Sequence, residues 1–199
     1  MSTEKQAPPE AAMDEPLSFT VMATGQLEGA EIPGVSNAYA KFMWVSGEDW
    51  KLVDGVGEGV TQVTRKTSGV DERLVWNFPL DITYKATNAF GWPQVVLSVY
   101  GIDAFGRDVV RGYGSVHLPM QPGNHQVKVR LYRPISSSLL QQFFGWLAGL
   151  PAEYADPAFP ASGGPGRDLT RVKGAGFATL NVHVVQRDMT LFGYDVGEQ

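Results

Sequence analysis

The sequence contains no cysteine among its 199 residues. Disulfides, thiolate zinc sites and cysteine nucleophiles are therefore excluded together, and a reducing compartment is favoured. An excess of positive charge is also missing. Lys and Arg number 16 against 21 Asp and Glu, for a formal net charge of −5. A dedicated nucleic-acid binder is normally basic, so no nucleic-acid partner is expected. No apolar run approaches the 18 residues that would suggest a membrane span. The start of the chain, residues 1–15, is polar and holds Glu4, Glu10, Asp14 and Glu15. It lacks the basic and apolar regions of a secretory signal, which predicts a cytosolic location. Helical periodicity is scarce, and the usual catalytic motifs are missing. There is no Gly-x-Ser-x-Gly elbow, phosphate loop or His-Glu-x-x-His. Gly55, Gly57 and Gly59 form G-V-G-E-G, which lacks the spacing and setting of a dinucleotide fingerprint and reads as a flexible loop. His117, His125 and His183 are scattered, whereas a structural zinc site needs four ligands.

What is present is alternation. Leu17, Phe19, Val21 and Ala23 alternate with Ser18, Thr20, Met22 and Thr24, the period of a half-buried strand. Similar strand patterns occupy 39–45, 58–66, 74–84, 94–100, 109–118, 126–132 and 177–187, and 49–53 resumes the second of them. Pro79 interrupts the 74–84 run. Strands recurring every 10–20 residues between turn signals predict an antiparallel sandwich or barrel. Residues 1–15 read as a disordered tail, which leaves 16–199 as one domain. A chain of this size buries roughly 70% of its unfolded surface, so its core needs no staples.

The exception to alternation is 136–150, SSSLLQQFFGWLAGL. Ser137 or Ser138 can cap a helix there, and Pro151 ends it. Residues 151–174 follow as a long Pro/Gly-rich loop. Burying one Leu or Phe contributes roughly 1.5–3 kcal/mol. Leu139, Leu140, Phe143, Phe144, Trp146, Leu147 and Leu150 must therefore meet the sheet, a partner or a membrane. The segment lacks the Lys and Arg of a membrane-surface helix. A protein partner is favoured for the part that does not pack on the sheet, with Phe143, Phe144, Trp146 and Leu147 as candidates.

Asn88-Ala-Phe-Gly-Trp-Pro carries two more aromatic candidates, Phe90 and Trp92. Aromatic loop residues make interfaces and also plug the ends of sandwiches, and both readings stay open. Trp76 lies inside a strand and reads as core. Lys128 and Arg130 alternate with apolar neighbours, and Arg133 lies just beyond. These three form a candidate anionic-lipid patch, each charge contributing about 1 kcal/mol near a surface. A solvated strand face is the simpler reading.

Two resemblances sharpen this picture. Val75-Trp-Asn-Phe-Pro-Leu80, with the loop after Val99-Tyr100, resembles C2 domains, in which an Asp-x-Asp pair follows a strand and loop carboxylates bind calcium. Here Gly101 stands where the first acid would be. Asp103, Asp108, Asp49 and Asp54 are the remaining candidates, and no metal or other cofactor is expected. Ordinary turn residues are the competing reading for Asp103 and Asp108.

The longer resemblance covers nearly all of 17–197. Gly47-Glu-Asp-Trp50, Gly59-Val-Thr-Gln-Val-Thr64 and Leu74-Val-Trp-Asn-Phe-Pro-Leu-Asp81 are similar to motifs of the B9-domain family. So are Asn88 to Gly101, Asp108-Val-Val-Arg-Gly-Tyr-Gly114 and Gly193-Tyr-Asp195. The resemblance implies an all-β, C2-like antiparallel sandwich. About eight strands are expected, with a short helix in a late insertion. It implies a protein of the ciliary basal body and transition zone, a cytoskeletal location, with no catalysis. The implied partners are two other B9-domain proteins, including the Meckel syndrome type 1 protein, and tectonic and transmembrane transition-zone proteins. Peripheral membrane contact is also implied. The implied role is a scaffold for ciliogenesis and for gating entry of membrane proteins. The alternative is an autonomous calcium-dependent phospholipid-binding module.

Overall fold

The computed structural model describes residues 18–66, 73–103, 105–134 and 172–195. Alternating apolar residues lay down β1 (Phe19–Glu31), β2 (Asn37–Val45) and β6 (Leu74–Ala86), and between the last two lie the short β3 (Trp50–Gly55), β4 (Glu58–Val60) and β5 (Thr64–Arg65). Then come β7 (Gln94–Ile102), β8 (Asp108–His117), β9 (Gly123–Pro134) and β10 (Val172–Arg187). A 3-10 helix, Met189–Phe192, closes the described chain.

Every pairing is antiparallel. The strands form one curled sheet in the order β3-β6-β1-β10-β9-β8-β7-β2-β4, with β5 beside β2. Between β8 and β9 the ladder narrows to the single pair Tyr113 and Tyr132, and the sheet folds there into two facing halves. Phe42 on β2 meets Phe78 on β6 with ring centres 5.5 Å apart. Trp76 Nε1 on β6 donates to the Ala38 carbonyl on β2 at 3.1 Å. On the other side, Val56 N bonds Asp81 O of β6, and Trp44 N of β2 bonds Gly57 O. The G-V-G-E-G segment is therefore a bridge between the halves rather than a flexible loop. Leu27, Leu80, Ile82, Leu97, Val99, Leu131 and Leu180 fill the space between them.

The strand count is ten among the described residues, against about eight expected. The 58–66 run splits into β4 and β5, which pair with separate parts of β2, and 50–55 becomes a strand by pairing with β6. Pro79 does not interrupt β6. Alternation turns its nitrogen to the β3 side, as it does the Asp81 carbonyl, and β3 stops pairing at Ile82. The missing N–H therefore costs no ladder bond. A bulge does bend the strand, with Trp76 and Asn77 facing Glu28 and Asn77 at φ 46°. The long loop ends earlier than residue 174. Val172 and Lys173 already pair with Pro134 and Arg133. The expected helix at 136–150, its candidates Phe143, Phe144, Trp146 and Leu147, and the tail 1–15 lie outside the described residues.

Candidate functional site: the two loop ends of the sandwich

Strand directions gather the connections at two ends. The first end carries 46–49, 87–93, 118–122 and 188–195. The second carries 32–36, the turn around Asp103 to Arg107, Pro134 and Val172.

Aromatic packing builds the first end. Trp50 meets Trp92, Phe19 and Tyr84 edge-on, at 5.1, 5.5 and 6.0 Å between ring centres. Phe192 and Tyr194 close over Phe19. Each buried ring nitrogen in this group has a partner, as its desolvation requires. Trp50 Nε1 donates to Phe90 O, and Trp92 Nε1 to Leu118 O, both at 2.9 Å. Burial raises the Tyr84 hydroxyl above its usual value, opposed by a hydrogen bond with Ser46. Asn88 caps the loop by accepting from Phe90 N at 3.0 Å. Gly91, at φ 72°, then reverses the chain against Gly47. The two aromatic candidates separate there. Trp92 is buried core, whereas Phe90 is 83% exposed at the turn. Asp49 lies exposed in the neighbouring turn, and Asp54 is exposed on β3.

A carboxylate organises the second end. Asp103 Oδ1 accepts the N–H groups of Phe105 and Arg107, at 2.8 and 2.9 Å. Its Oδ2 receives Arg107 Nε and Nη2, each at 2.9 Å. The Arg107 backbone bond is the leading cause that holds Asp103 below the ordinary carboxylate value; its guanidinium adds to it. Both oxygens are already engaged by donors, in competition with any cation. Asp108 is exposed at the start of β8. Among the described residues no three His, Asp or Glu side chains come together as a metal group. Asp103, Asp108, Asp49 and Asp54 are dispersed between the ends and do not form the joint site that calcium coordination would need.

Arginines dominate the remainder of this end. Arg107 lies over the ring of Phe105, 4.9 Å from its centre. Arg111 Nη2 donates to Ile102 O at 2.9 Å, while its Nε is buried without a hydrogen-bond partner. Burial, and then the nearby charge of Arg133, lower the Arg111 pKa from its usual value. Lys128 and Arg130 project from the exposed face of β9. Alternation turns Arg133 to the opposite face, toward Arg111, so the three cations of the expected patch do not share one face. Arg111 was missed in sequence because it sits in an ordinary strand pattern. His117 and His183 are exposed and His125 is half-buried. His183 bonds Asn124, and His125 bonds Gln121 O.

The curled antiparallel sheet, closed by loop clusters at two ends, defines an all-β sandwich. Residues 21–185 match the model of the family described as "Ciliary basal body-associated, B9 protein", and the chain belongs to this B9-domain family. It is 48% identical over 186 residues to mouse B9 domain-containing protein 1, covering 94% of this chain and 91% of that protein. Bovine B9 domain-containing protein 2 is 35% identical over 131 residues, 66% of this chain and 74% of that protein. Among solved structures, a C2 domain of plant Extended Synaptotagmin 1 aligns with a TM-score of 0.41 at 11% identity. That alignment covers 82% of this chain and 92% of the other. The family is ciliary and associated with the basal body.

Proposed function

We propose that this chain is a non-enzymatic scaffold of the ciliary transition zone, acting in a complex with two other B9-domain proteins. The Meckel syndrome type 1 protein is one of them, and tectonic and transmembrane proteins are the further partners. Its role is ciliogenesis and control of membrane-protein entry into the cilium. The observation that carries this reading is the family match, which runs across both halves of the sandwich and both loop ends. The physical logic is rigidity. A closed sandwich presents fixed loops and sheet faces to several partners at small ordering cost. Phe90 is one such fixed feature, an exposed ring on a turn held by Asn88, Gly91 and Trp50.

Size-exclusion chromatography with light scattering tests the proposal. The chain is run alone and then co-expressed with the two other B9-domain proteins of its organism. Co-elution in a stable complex is expected. A monomer that ignores both partners overturns the reading. A calcium titration accompanies it. A calcium-dependent rise in melting temperature together with calcium-dependent vesicle binding would instead favour the autonomous lipid-binding module.

A further inference from the structure

We propose that Arg111, Arg133 and Lys173 form a recognition site for a phosphate monoester, carried on a phosphorylated side chain of a protein partner. This rests on the scaffold reading and names the chemistry of one of its contacts.

Register brings the three cations together. Tyr113 and Tyr132 are the one pair that joins β8 to β9. Just beyond it, toward the second loop end, β8 carries Arg111 and β9 carries Arg133. Arg133 lies directly opposite Lys173 of β10, so the two side chains share one face of the ladder. Arg111 meets them from the other side of the fold, near enough for the charge of Arg133 to act on it. Lys128 and Arg130 project from the opposite face of β9 and take no part.

This arrangement is costly while no anion is bound. Like charges directly opposite each other on neighbouring strands are destabilising. The Arg111 guanidinium holds Ile102 O through Nη2, but its Nε is buried without a hydrogen-bond partner. Among the described residues no ion pair involves Arg111, Arg133 or Lys173. Asp103 is already engaged through both oxygens by Arg107 and the turn backbone. Although the chain as a whole is acidic, β9 and β10 contain no Asp or Glu.

A phosphate monoester suits this corner better than a carboxylate. It brings close to two negative charges and three acceptor oxygens, and guanidinium groups hold phosphate at two points. A carboxylate would leave two of the three cations unmatched. The cations meet at the fold between the halves, not on a projecting tip, which suits a single side chain reaching in. Arginine clusters that read phosphorylated segments are a recurring mode of peptide recognition.

The test uses the full chain and a fluorescein-labelled Gly-Ser peptide carrying one phosphoserine. Fluorescence anisotropy is expected to show binding of this peptide, no binding of its unphosphorylated twin, and displacement by inorganic phosphate. Removing two charges together, as R133A/K173A, is expected to weaken binding by about tenfold or more. R133K/K173R keeps both charges and is expected to retain binding. In chloride buffer R133A/K173A is expected to melt no lower than the parent, because it relieves the repulsion. The proposal is overturned if phosphorylation of the peptide makes no difference, if a glutamate twin binds equally well, or if folded R133A/K173A binds undiminished. It is also overturned if inorganic phosphate binds and the phosphopeptide does not, or if R133A/K173A melts well below the parent in chloride, which would make the cations structural. Co-elution with the B9 partners is a separate readout. Loss of phosphopeptide binding with co-elution intact removes this site and leaves the scaffold reading, and the converse result does the reverse.

Discussion

The two loop ends of the sandwich fix exposed rings by opposite physical means. At the first end, interlocked aromatic rings bury most of their area and leave Phe90 standing on top. At the second, a carboxylate gathers two backbone N–H groups and one guanidinium, and leaves Phe105 at the turn. Their surroundings differ as well. Glu48, Asp49 and Asp195 lie exposed at the first end, where Asp188 pairs with Arg187, while Arg107, Arg111 and Arg133 lie toward the second. A packed base ties the geometry of its loop to the stability of the whole domain. A solvent-facing polar network ties it to local charge and pH, with little consequence for the core. The first end is thus suited to a constant protein contact, and the second to an electrostatic one.

The largest effect that would sharpen this contrast comes from the packed end. Trp92→Ala removes a buried indole, its edge-on contact with Trp50 and its bond to Leu118 O. A loss of about 3–5 kcal/mol is expected, read from urea denaturation. A loss no greater than that of an exposed residue would break the claim that packing holds this end.

Next comes Gly91→Ala. The added Cβ would lie 2.5 Å from Gly47 Cα at a backbone with φ 72°, and the Gly47 N–H, which donates to Gly91 O, holds the two segments at that distance. A loss of about 2 kcal/mol is expected from the steric and conformational conflict. Limited proteolysis should then cut first in 87–93, and unchanged protection there would count against this account.

The second end should respond to pH and hardly at all to global unfolding. The folded Asp103 pKa lies below the ordinary 3.8. Its contribution is therefore present above that value and is lost as pH falls through the lower, folded one. Asp103→Asn should flatten this part of the acid-stability profile, with a melting shift smaller than that of Trp92→Ala. Under the scaffold reading, Asp103→Asn and Asp108→Asn both leave partner co-elution intact. Failure of assembly confined to these two variants would move the interface to the second end.

The contrast also explains what the amino-acid pattern disclosed. Alternation along 19–31 and 177–187 located those long strands because each has one side facing the core, whereas 94–102 showed as a short apolar run because β7 is buried on both faces. The reading at Pro79 failed because tolerance of proline depends on whether a neighbouring strand needs its N–H, and β3 ends before reaching it. Phe90 and Trp92 could not be separated by type or spacing. The left-handed Gly91 between them and the acceptor at Leu118 decide which ring is buried. Asp103 offered a usable signal that was only half read. An Asp followed by Gly106 and Arg107 fits a turn closed on its own carboxylate. The approach of Arg133 to Arg111 had no local signature, because it depends on β8 and β9 meeting at one pair.

The smallest stability effect is the most discriminating for function. Phe90 exposes 83% of its surface, and the bond that Trp50 makes in its loop uses the Phe90 carbonyl rather than the ring. Phe90→Ser should therefore change stability by no more than about 0.5 kcal/mol. The Asn88 cap and the Trp50 bond survive the substitution, since both engage the backbone. If the packed end serves a protein partner, the same variant should lose co-elution with the B9 partners while melting like the parent. An intact complex would show that the rigid turn presents Phe90 to no partner in that assembly, and would leave the acidic rim or the sheet faces to carry the contact. A large fall in melting temperature would refute the division between a buried Trp92 and a free-standing Phe90 on which the comparison of the two ends depends.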